Sequence, residues 1–90
     1  MSREEVLKVL TDMWKEVLES EEETLPTDVT FFELGGNSMI ATLMLETLNE
    51  KFNTEIELIE LYDKNTLDLL ADYVKEVIDK KEQETDGETA

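Results

Sequence analysis

From residue 2 to about residue 19 the apolar positions recur at helical spacing. Val6, Leu10, Met13 and Val17 form one stripe, with Leu7, Trp14 and Leu18 beside it. Ser2 stands just before the stripe and Glu5 three residues later, a spacing in which each side chain can satisfy the other's backbone N–H. An amphipathic helix is predicted there, with Trp14 in or at the edge of the core. The period then stops at Glu21, Glu22 and Glu23, and Pro26 follows. No period persists over residues 24–37, yet Leu25, Val29, Phe31, Phe32 and Leu34 fall inside that stretch. A loop this apolar must lie down on a core, and long ordered loops in small domains often carry function.

The helical period returns at Ser38. Ile40, Met44 and Leu48 repeat at four-residue offsets, Met39 and Leu43 do the same, and Phe52 follows. Asn49 and Asn53 put the end of this second helix near residue 53. Residues 55–59 alternate polar and apolar over too few positions to define a strand, and a short helical turn over 60–63 is expected instead. Thr66 is placed as the N-cap of a last helix, whose inner face is Leu67, Leu70, Val74, Val77 and Ile78, with Leu69 and Tyr73 alongside. Asp68 in its first turn suits the helix dipole. Past Lys81 the apolar residues vanish, so residues 1–80 are expected to form the folded domain and residues 81–90 a disordered acidic tail. The fold class is all-α: a four-helix bundle of three long helices and one short third helix, with a long first loop.

Composition narrows what such a bundle can do. Ninety residues allow one small domain with a modest core, too small for a deep catalytic cleft. There is no cysteine, which excludes disulfides, thiolate metal sites and a cysteine nucleophile. There is no histidine, which removes the commonest general base and metal ligand, and with them the Ser-His-Asp arrangement. The acidic run of residues 21–23 and the acids of residues 55–79 lack the spaced loop of a calcium site. The chain is therefore not expected to be an enzyme. Twenty-four acids against eight bases give a net charge of −16, which opposes nucleic-acid and anionic-membrane binding and favours a basic protein partner. No apolar run reaches membrane-spanning length and no secretory signal is visible, so a cytoplasmic monomer is the default expectation. Met1 favours a discrete protein over an excised domain.

The candidate chemistry lies in Phe31-Phe32-Glu33-Leu34-Gly35-Gly36-Asn37-Ser38-Met39. Two glycines permit a sharp approach to a helix start. Ser38 falls at that start, where unpaired N–H groups and the positive end of the dipole face outward. A phosphate carried on its hydroxyl would gain about 0.3–1 kcal/mol from that environment when exposed. Taken alone, Gly-Gly-Asn-Ser reads more readily as a structural helix cap, because serine is a favoured N-cap.

The wider stretch resembles the acyl and peptidyl carrier protein family, and most of all the peptidyl carriers of nonribosomal peptide synthesis. Their pattern is a Phe-Phe pair, then Leu-Gly-Gly, a polar residue, serine and a large aliphatic residue. Residues 60–67, Glu-Leu-Tyr-Asp-Lys-Asn-Thr-Leu, are similar to the family's short third helix and the threonine that opens its fourth, with Asn65 where proline is frequent. Trp14 also matches a first-helix position of many peptidyl carriers. The resemblance covers roughly residues 5–77.

What it implies is a covalent 4'-phosphopantetheine arm on Ser38, transferred from coenzyme A by a phosphopantetheinyl transferase, with Gly36 and Asn37 flanking the attachment point. The arm's thiol would carry an aminoacyl or acyl group as a thioester. That fits a chain without cysteine, since the sulfur arrives with the cofactor. Further partners would be an adenylation or acyl-loading enzyme and condensation or other thioester-processing enzymes. Met39 and Leu43, after the serine, are expected partner contacts. Tyr62 is expected in the core, with the arm's exit and a partner contact as its other role. Phe31, Phe32 and Leu34 are expected to pin the loop. Gly36-Asn37, where fatty-acid carriers tend to show Ala-Asp, favours amino-acid or aryl cargo. The alternatives are a carrier for polyketide, fatty-acid or lipid assembly and, in another class, an acidic helical interaction module without a prosthetic group.

Overall fold

A computed structural model describes the backbone of residues 1–89 and the side chains of residues 1–82. Four helices follow one another: α1 (Arg3–Val17), α2 (Ser38–Phe52), α3 (Leu58–Asp63) and α4 (Leu67–Thr89). The expected acidic tail of residues 81–90 falls, from residue 83 onward, outside the described side chains.

The first helix forms as its sequence dictates. The Ser2 hydroxyl accepts from the Glu5 N–H at 3.2 Å and Glu5 Oε1 accepts from the Ser2 N–H at 3.1 Å, closing the capping box. Val6, Leu10, Met13 and Trp14 are buried, and the helix packs chiefly on α4 and then on α2. Trp14 is fully buried, with its ring Nε1 lacking a protein hydrogen-bond partner.

In α2 the buried face is Ala41, Met44, Leu45 and Leu48. The apolar stretch is wider than that face, so Met39 and Leu43 are left outside it. Asn53 ends the helix in the left-handed region, φ 55°, a conformation asparagine tolerates better than most residues. Asn49 lies inside α2 and does not mark its end. Its side chain reaches forward to the next connection. Nδ2 donates to the Ile56 carbonyl at 2.9 Å, while Oδ1 accepts from Thr54 Oγ1 at 2.8 Å and the Ile56 N–H at 2.9 Å. One side chain thereby satisfies three polar groups of a segment that buries Thr54 and Ile56.

The short helix starts two residues earlier than expected, at Leu58. Glu57 and Glu60 form a second capping box there, with the Glu57 N–H donating to Glu60 Oε2 at 3.0 Å. Thr66 does cap the last helix: its hydroxyl accepts from the Leu69 N–H at 3.2 Å. Leu67, Leu70, Ala71 and Val74 bury the inner face of α4, and Arg3 of α1 pairs across it with Asp68 and Asp72.

The connection over residues 18–37 is an ordered strap. The Phe31 N–H donates to the Asn65 carbonyl at 2.8 Å, the Asp68 N–H donates to the Thr27 carbonyl at 3.1 Å, and Thr30 and Thr66 form an isolated antiparallel bridge. The loop is thus bonded, backbone to backbone, to the turn between α3 and α4. A proline at position 65 would keep the carbonyl that Phe31 uses, which is why asparagine or proline serves equally for this contact.

Candidate functional site

The apolar loop delivers its last residues to the start of α2 through a specific packing step. Phe31 is fully buried, edge-on to Trp14 at 4.9 Å between ring centroids. The chain then turns back, with the Leu34 N–H bonded to the Thr30 carbonyl, the Gly35 N–H to Phe32 and the Gly36 N–H to Phe31. Gly35 has φ +108°, a region that side chains rarely adopt. Gly36 is needed for another reason. A Cβ there would lie 2.3 Å from the Phe31 ring and 2.8 Å from its carbonyl oxygen. The pair of glycines therefore combines a backbone angle with a close approach, and Gly36 acts through its fit against Phe31.

Asn37, not Ser38, is the N-cap of α2. Its backbone is extended and its Oδ1 accepts from the Ile40 N–H at 2.9 Å. The helix begins at Ser38 as the sequence predicts, and the residue that caps it is the one before: Ser38 is the first helical position. Its side chain is thereby released from capping and points outward, in an exposed residue. With the Ile40 N–H taken by Asn37 and the Ala41 N–H bonded to the Asn37 carbonyl, the N–H groups of Ser38 and Met39 are the pair a helix leaves without internal acceptors. No acid lies in the first turn of α2. This donor set suits an anion next to the hydroxyl, and the first turn of α2 places no acid against it, so the residues present fit a phosphodiester on Ser38.

Tyr62 completes the site, and its place corrects the expectation of a core residue. It is half exposed. Its hydroxyl lies 2.8 Å from Ser38 Oγ, and its ring stacks on Phe32 at 5.2 Å with 7° between planes. The two phenylalanines thus divide the work, Phe31 anchoring the loop in the core and Phe32 supporting Tyr62. Leu34 packs partly buried against the same core.

Large apolar side chains are exposed on both α2 and α3. Met39 is 76% exposed and Leu43 55%, one turn apart on α2. Ile59 on α3 is 71% exposed, a residue the sequence reading did not single out. Its neighbours in sequence alternate in character, and only the rotation of α3 about its axis turns Leu61 inward and Ile59 out. Behind α3, Glu60 accepts from the Tyr73 hydroxyl of α4 as well as from the Glu57 N–H. The Tyr73 bond and the backbone bond hold the Glu60 carboxyl below its ordinary range, while Glu60 pushes the Tyr73 phenol up to about 12. Lys64 sits over the Tyr73 ring at 4.7 Å. Among the described residues no helix is long and apolar enough to cross a membrane.

Comparison with known proteins gives the family. The family model for the phosphopantetheine attachment site matches residues 8–74. The nonribosomal peptide synthetase FrzA of a Cladobotryum species is 34% identical over 73 residues, 81% of this chain and 7% of that protein. The large subunit of L-2-aminoadipate reductase from Candida glabrata is 32% identical over 83 residues, 90% of this chain and 6% of that protein. The chain thus spans less than a tenth of the length of these relatives. Among solved structures, the HMG-ACPI domain from the CurA module of Lyngbya majuscula superposes with a TM-score of 0.78 at 27% identity, covering 89% of this chain and 82% of that one.

Proposed function

The chain belongs to the phosphopantetheine-attachment family of carrier domains, and on that premise we propose that Ser38 is its attachment residue and that its cargo is an aminoacyl or peptidyl group. The observation that carries the first part is the exposed Ser38 hydroxyl at the first position of α2, freed from capping by Asn37. In the modification the Ser38 oxygen attacks the phosphorus of coenzyme A that bears the pantetheine. The new bond is Oγ–P, the bond to adenosine 3',5'-bisphosphate breaks, and the serine proton passes to a base of the transferase. Ser38 would hold the resulting phosphodiester, and the N–H groups of Ser38 and Met39 would be the donors available to its charge. Gly36 and Asn37 contribute by shaping this corner. Bound there, the group supplies the thiol on which cargo is held as a thioester.

Met39, Leu43 and the exposed edge of Tyr62 form the surface offered to the enzymes that modify, load and unload the arm: a phosphopantetheinyl transferase, an adenylation or acyl-loading enzyme, and a condensation or other thioester-processing enzyme. These exposed apolar residues beside Ser38 support that assignment. The aminoacyl reading draws on relatives named for peptide synthesis and for an amino-acid reduction. It is tested by offering the phosphopantetheinylated protein to amino-acid adenylating enzymes and to acyl-loading enzymes in parallel. Thioester formation with the former is expected, and loading only by the latter would replace this reading with an acyl carrier. Similarity to an acyl carrier domain of known structure gives that second reading its support.

A further inference from the structure

Ser38 Oγ and the Tyr62 hydroxyl are 2.8 Å apart, which is hydrogen-bond distance, and either atom could donate. In the unmodified protein the choice is open to both, although the phenol is the stronger acid and the natural donor. Modification removes the choice. Once Oγ is esterified it has no proton to give, and only Tyr62 can donate. An ester oxygen is a poor acceptor, but the phosphate's charged non-bridging oxygens sit two bonds away from it. The stack on Phe32 restrains the Tyr62 ring at this spot, and the burial of Leu61 next to it fixes the rotation of α3 that carries it. Phe32 is in turn fixed by its neighbour Phe31 in the core.

We propose that Tyr62 is the side-chain donor to the phosphodiester, a positioning residue whose bond to Ser38 is replaced on modification by a stronger, charge-assisted one. Hydrogen bonds to ionised acceptors are roughly twice as strong as neutral ones. Tyr62 therefore contributes more to the stability of the modified protein than to that of the unmodified one. The bond joins α3 to the first turn of α2 across the attachment point, so it also sets the direction in which the arm leaves the surface. This inference rests on Ser38 being the attachment residue.

The test uses four proteins, the parent and Tyr62→Phe, each with and without phosphopantetheine, with intact mass confirming the state of each. Phenylalanine keeps the ring that stacks on Phe32 and removes only the hydroxyl, so the variant retains the packing. The expected result is that Tyr62→Phe lowers Tm by at least about 4 °C more in the modified protein than in the unmodified one, and that the phosphodiester 31P resonance shifts between the two modified proteins. In a Ser38→Ala background the same substitution should be nearly silent. An equal Tm loss with and without the arm, together with coincident 31P resonances, would overturn the role of Tyr62 while leaving Ser38 as the attachment site. A parent that gains no mass on Ser38 would overturn the attachment reading itself.

Discussion

At the scale of single residues, three consecutive positions do three different jobs that their one-letter pattern does not distinguish. Gly36 admits Phe31, Asn37 caps the helix and Ser38 presents a hydroxyl. Gly36→Ala forces a Cβ to 2.3 Å from the Phe31 ring. Since Phe31 is locked against Trp14, the clash should destabilise the domain by about 1–3 kcal/mol, read as a lower urea midpoint with unchanged slope. Asn37→Ala removes the cap and should cost about 0.5–2 kcal/mol. Ser38→Ala loses one exposed hydrogen bond to Tyr62 and should cost under about 1 kcal/mol, so its circular dichroism and urea midpoint should stay near the parent's. A Ser38→Ala cost that matched or exceeded that of Asn37→Ala would return the capping role to serine. The serine could be singled out as the proposed attachment residue because its sequence neighbours form a recognisable set. Which residue caps was not legible, since serine and asparagine are both favoured N-caps and a one-residue shift leaves the apolar period unchanged.

At the scale of elements, α1 and the inner face of α4 follow directly from their stripes. The second capping box, Glu57 with Glu60, has the same three-residue offset as the first. It was missed because glutamate is an unusual N-cap and the helix it opens has only six residues. The exposure of Tyr62 and of Ile59 was missed for a related reason. A helix this short shows less than two turns of periodicity, so its rotation is fixed by Leu61 and by the strap bonded at Asn65, contacts that no local pattern encodes. The same helix is fastened to α4 by Glu60 and Tyr73, with Lys64 and Glu76 as the other nearby charges.

The sign of its pH dependence follows from the two shifts. Glu60 titrates below its ordinary value, so its contribution is complete above the usual carboxylate range, about 4.3, and is lost as pH falls through its lower folded value. Tyr73 is raised from 10.0 to about 12, so its contribution is complete below 10 and is lost between 10 and about 12. Tyr73→Phe should therefore destabilise most at neutral pH. The gap to the parent should narrow at both ends, as followed by urea unfolding across pH. A gap independent of pH would mean that the hydroxyl contributes packing alone.

At the scale of the whole molecule, a charge of −16 on ninety residues opposes compaction. The ion pairs that relieve it, such as Arg3 with Asp68 and Lys8 with Asp12, are substantially exposed and weak. Raising salt from about 0.01 M to about 0.1 M shortens the screening length from roughly 30 Å to 10 Å. That should weaken the many repulsions more than the few attractions, so Tm should rise over this range. A flat or falling Tm would show that the pairs outweigh the repulsion. The same charge suits encounter with basic enzyme surfaces, while the exposed apolar Met39 and Leu43, on the helix that Ser38 opens, interrupt it where contact is needed.

These scales meet in one claim: the loop, the cap and the third helix are arranged to present Ser38 for modification. Intact mass after incubation with coenzyme A and a broad-specificity phosphopantetheinyl transferase tests it most directly, with Ser38→Ala alongside. The account predicts one added phosphopantetheine on the parent and none on the variant. No addition to the parent, under conditions where a control carrier is modified, or equal addition to both proteins, would contradict it.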